Sequence, residues 1–77
     1  MDQKYFLLDL ERTIISGVPA YWKGNKHGYT YDIQHAGIFD EINANMIVKS
    51  DQDQSTVKVP LNLVFKLLGK DLKINGH

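Results

Sequence analysis

Apolar and polar positions along the chain sort into short runs separated by glycine, proline and asparagine. "KYFLLDLERTII" is a strand-length run of aromatic and branched residues, and Ser16 and Gly17 break it as a hairpin turn would. The pattern predicts a first strand over Lys4 to Ile14. "VPAYW" then returns as a second strand from Val18 to Trp22, with Pro19 tolerated only at an edge or at the strand's beginning. Lys23 to Gly28 has two glycines, an asparagine and no apolar residue, which predicts a turn. Tyr29 to Ile33 alternates ring, polar, ring, polar, apolar, so Tyr29, Tyr31 and Ile33 are expected on one face of a third strand. By the same period of two, Tyr21 and Trp22 point to opposite faces.

The second half reads as helix, strand and helix. Asp40 is placed to cap a helix over Glu41 to Lys49, with Glu41 in the first turn. At about 100° per residue, Phe39, Ile42 and Met46 fall on one side of it, and Ala44, Ile47 and Val48 on the other. Such a short helix is apolar on two sides, so it is either sandwiched or keeps one side for an interface. Asp51 to Ser55 is a polar loop, and "TVKVPL" is a short strand that ends at Pro60. Leu61, Val64, Phe65 and Leu68 then recur at helical spacing, with Gly69 where a glycine closes a helix. The expected fold class is α+β, one domain over residues 1–77: an antiparallel sheet of three to four strands packed against one or two helices, with 70–77 loosely held.

Composition narrows the functions available. The charged fraction is 23%, and nine basic side chains balance nine acidic ones, which removes the electrostatic footprint of a duplex-DNA binder. With no cysteine, neither disulfides nor thiolate zinc can reinforce so small a core, and a homodimer is one remaining source of stability. No apolar run approaches the ~20 residues that span a bilayer, and no signal peptide is visible, so the expectation is a cytoplasmic chain without a membrane partner.

Candidate chemistry is sparse. Asp51, Asp53 and Ser55 have the spacing that opens a calcium loop, but Thr56 and Asn62 stand where that loop needs glycine and glutamate. Asp32 and His35 are spaced for a local hydrogen bond, and His27, His35 and His77 form no metal spacing. Ser16, Ser50 and Ser55 lack an activating context. The reading is a non-enzyme with no catalytic residues, metal or cofactor.

The aromatic hairpin is the feature with functional pull. Tyr21, Trp22, Tyr29 and Tyr31 interleave with Lys23, Lys26 and His27, a composition that suits a protein-binding hot spot or a stacking surface for unpaired bases. The bland reading is cross-strand packing, which claims at least two of the rings. "YWKGNKHGYTYDIQHAGIFDEINA" also resembles a pattern in small proteins of bacteriophages and prophages. Its positions here are Tyr21, Trp22 and Lys23, then Gly28, Tyr29 and Thr30, then Ala36, Gly37, Phe39 and Ala44. The match covers about a third of the chain and departs at Gly24, where such proteins often have proline. The resemblance implies a phage or prophage origin and supplies no catalytic residues. The expected function is a binding protein that modulates a host protein by occupying its surface, such as an inhibitor of a defence system. A module for single-stranded nucleic acid or nucleotides is the alternative.

Overall fold

The structure, a computed structural model, describes residues 3–24 and 28–66. The expected class holds: an antiparallel sheet with helices packed on it. Strand β1 (Lys4–Asp9) is central, and β5 (Thr56–Pro60) runs along one of its edges from Tyr5↔Pro60 to Asp9↔Thr56. On the other edge, β2 (Tyr21–Trp22) pairs at Leu8 and β4 (Phe39–Asp40) pairs at Lys4 and Tyr5. β3 (Tyr29–Thr30) continues outward from β2.

The first strand is shorter than its apolar run. It stops at Asp9, whose carboxylate accepts from the Arg12 backbone N–H at 2.9 Å and caps α1 (Leu10–Ser16). Glu11 in the first turn adds the favourable charge, and Gly17 ends the helix at φ 81°, donating its N–H to the Thr13 carbonyl at 2.8 Å. The expected strand to Ile14 and hairpin turn at Ser16 and Gly17 are therefore a capped helix and its glycine stop. The second strand also shortens, since only Tyr21 and Trp22 pair.

The third strand is likewise curtailed. Asp32 accepts from the Gln34 N–H and starts a 3-10 turn over Ile33–His35, so Ile33 leaves the sheet and Tyr31 stands exposed. The shared face of Tyr29, Tyr31 and Ile33 does not form. The hairpin closes through Lys23 N–H to the Gly28 carbonyl at 3.1 Å, while Lys26 and His27 lie outside the described residues.

The sheet's two faces are covered differently. α2 (Glu41–Ser50), capped by Asp40 as expected, packs Ala44 and Ile47 against Tyr5, Leu7 and Phe39, with Trp22 and Val48 at the margin. The other face carries Phe6, which meets Phe65 edge-on at 6.0 Å. Phe65 belongs to helical residues 61–66; the expected stop at Leu68 and Gly69, and the loosely held 70–77, lie outside the described residues.

Two connections depend on single residues. The segment before β4 crosses β2 so closely that a Cβ on Gly37 would lie 2.4 Å from the Gly24 Cα, and the Gly37 N–H donates to the Trp22 carbonyl at 2.9 Å. Between α2 and β5, Asp51 accepts from the Thr56 hydroxyl at 2.6 Å, the Ser55 N–H at 3.0 Å and the Asp53 N–H at 3.1 Å. The Leu10 N–H donates to the Ser55 carbonyl, so alternation turns the backbone groups of Val57 and Val59 toward β1 and those of Thr56, Lys58 and Pro60 outward. Pro60 has no N–H to offer on that outward side.

Candidate functional site

Most of the aromatic rings are committed to packing. Trp22 meets Tyr29 edge-on with centroids 5.5 Å apart on the α2 side of the sheet, and Arg12 lies 4.1 Å over the Tyr29 ring. Tyr21, on the opposite face as alternation requires, tilts against Phe6 at 5.7 Å, and burial pushes its phenol pKa up. Of the seven residues singled out in the hairpin, Tyr21 lies on one face of the sheet and Trp22 and Tyr29 on the other, Lys23 and Tyr31 are exposed beyond the strands, and Lys26 and His27 lie outside the described residues. Among the described residues the buried Trp22 Nε1–H has no acceptor.

The acidic and imidazole side chains serve local structure. Asp32 caps the 3-10 turn and meets His35 Nδ1 at 3.1 Å, the short-range contact their spacing suggests. Asp51 is occupied by its own loop: the Thr56 hydroxyl first, then backbone N–H groups, hold its carboxyl below the ordinary range, against partial desolvation. Among the described residues no cluster of three or more histidine, aspartate or glutamate side chains could hold a metal ion. None of the described helices is long and apolar enough to cross a membrane.

The more pronounced surface features are apolar. α1 inverts the usual amphipathic arrangement, in which the apolar stripe faces the core. Its polar residues attach it: Asp9 caps it, the Thr13 hydroxyl donates to the Asp9 carbonyl at 2.6 Å and accepts from the Ala20 N–H at 3.0 Å, and Arg12 rests on Tyr29. None of its residues is buried, and Ile14 and Ile15 are 77% and 80% exposed. A strand reading of Lys4 to Ile14 hides these two residues as a site. The signal that reveals them is the Asp9 and Glu11 start paired with the Gly17 stop.

A second apolar surface lies on the outer side of α2, where Ile42 is 74% and Met46 61% exposed. Beside it Trp22, Met46, Ile47 and Ser50 line an open groove of about 320 Å³. Of the two apolar sides read from the sequence, Ala44 and Ile47 pack on the sheet while Ile42 and Met46 stand open; Phe39, read on the side of Ile42 and Met46, instead belongs to β4 and packs in the core with Ala44 and Ile47. No family model matches the chain, and no curated protein or solved structure matches it either.

Proposed function

We propose that the chain is a non-enzymatic binding protein that acts by covering a surface of another protein, with α1 as the element that enters the partner. The observation that carries this reading is the inverted helix: polar anchors hold α1 in place while Ile14 and Ile15 face outward. Transferring an isoleucine side chain from water into a partner's groove is worth about 1.5–3 kcal/mol, so the pair supplies a useful fraction of a micromolar affinity. Because the anchors fix the helix beforehand, little ordering entropy opposes docking. In the phage setting that the sequence resemblance implies, the partner is a host protein, such as a component of antiviral defence or of the replication or transcription machinery. The single-strand alternative needs free ring faces, and Tyr21, Trp22 and Tyr29 spend theirs on Phe6, on each other and on Arg12.

The test is affinity capture from host cytoplasm by the immobilised chain, followed by mass spectrometry, with the Ile14→Glu/Ile15→Glu variant as control. Both positions are exposed, so the variant keeps its circular dichroism and melting temperature. A protein retained by the wild type and lost from the variant supports the reading, and its purified form then has to bind directly. Equal retention by both chains refutes it.

A further inference from the structure

We propose that the outer side of α2 is a self-association face, on which two copies of the chain pack α2 antiparallel to α2 about a two-fold axis, with Glu41 of each copy beside Lys49 of the other. This surface is separate from α1 and does not depend on its role. The inner side of the helix is spent on the sheet through Ala44 and Ile47. At about 100° per residue, Ile42, Met46 and Lys49 share one outward arc of about 60°, with Glu41 on its flank. All four side chains are exposed.

Charge order selects the occupant. The helix begins with Asp40 and Glu41 and ends with Lys49, which complements its own dipole. It also makes the face complementary to itself when reversed. A copy turned about a two-fold axis at the level of Ala44 sets Ile42 against Met46 and leaves each Glu41 offset by two residues, about 3 Å, from the opposite Lys49, within side-chain reach. A parallel copy would set like charges together. Lys49 has no ion pair among the described residues. Glu41 lies 3.7 Å from Lys58 Nζ, yet its side chain remains 60% exposed and can take a second cation. The groove at Trp22, Met46, Ile47 and Ser50 gives the incoming Ile42 room beside Met46. A self-complementary patch of this kind is what a two-fold interface requires. A single helix seam buries less than the ~800 Å² per partner of a standard interface, so the dimer is weak and concentration-dependent.

Sedimentation equilibrium from about 10 μM to about 1 mM reads the effect directly. The wild-type mass should rise from 8.8 kDa toward twice that value. Lys49→Glu alone and Glu41→Lys alone should each weaken association roughly tenfold, because every facing pair becomes a like-charge pair. An equimolar mixture of the two variants should associate at least as well as the wild type, since in the mixed dimer every facing pair has opposite sign. A wild type that stays at monomer mass at the highest concentration overturns the proposal. So does a mixture that remains monomeric while the wild type associates. Should Glu41→Lys lose its fold through its neighbour Lys58, Ile42→Asp decides the matter: it is exposed, and unchanged association in that variant overturns the proposal.

Discussion

Replacing Gly37 by alanine tests the crossing of the chain over β2. Its φ is not in the left-handed region, so the cost is one of space. An added Cβ would lie 2.4 Å from Gly24 Cα, 2.5 Å from Gly24 N and 2.9 Å from the Lys23 carbonyl carbon, all of them backbone atoms that cannot swing aside as a side chain can. Relief requires separating the two segments, which strains or breaks the Gly37 N–H bond to the Trp22 carbonyl and the Lys23↔Ala36 bridge. Overpacking of this kind costs about 1–3 kcal/mol, and each lost backbone bond about 1 kcal/mol more. The expected destabilisation is about 2–4 kcal/mol, a large share of the total stability of a chain of this length. Gly24→Ala is the matched control: it sits on the other side of the same crossing, but its Cβ would meet the nearest heavy atom at an ordinary 3.6 Å. Thermal unfolding followed by circular dichroism should show Gly37→Ala melting more than about 10 °C below the wild type and Gly24→Ala within a few degrees of it. Equal losses in the two variants, or none in Gly37→Ala, would refute the reasoning.

Asp9→Ala should cost about 1 kcal/mol through loss of the α1 cap, visible as a fall of about 4–8 °C in melting temperature, whereas Asp9→Asn, which keeps an accepting oxygen, should retain most of it. The Asp51 carboxyl titrates below its unfolded value, so its contribution is fully present above about pH 4 and is lost as pH falls through the lowered folded value. Melting temperatures of Asp51→Asn should therefore fall less than those of the wild type between about pH 5 and pH 2.5, and parallel curves would contradict this.

How far the sequence discloses this molecule depends on which force decides each element. α2 and β5 were legible because cap, periodicity and proline agree: Asp40 starts the helix, and Pro60 ends the strand before residues 61–66 turn helical. α1 was hidden because "LERTII" suits a strand by residue type, and its helix is decided by two local bonds, Asp9 to the Arg12 N–H and Gly17 N–H to the Thr13 carbonyl. β3 was overread for a similar reason, since the Asp32 carboxylate starts a turn that alternation alone would carry through as strand. The hairpin rings were rightly divided between faces, but whether a ring is spent depends on Phe6 and Arg12, distant in sequence or on an element read as strand. The exposure of Ile42 and Met46 follows from which side of α2 meets the sheet, a tertiary fact that the helix's own period leaves open.

The outward edge of β5 sets a limit on how copies of this chain can join. An arriving strand needs a row of donors, yet Pro60 has no hydrogen to give, so among the described residues of β5 only two backbone N–H groups turn to that side, those of Thr56 and Lys58. The Lys58 side chain is also a deterrent, because it is drawn over the Tyr5 ring and onto Asn45, and an added strand would have to fit beside that charge. Growth of the sheet by templated addition along β5 is therefore poorly supported at the first step. That closure of the β5 edge fits the proposed pairing through α2, which would join copies as closed pairs instead of open-ended fibres.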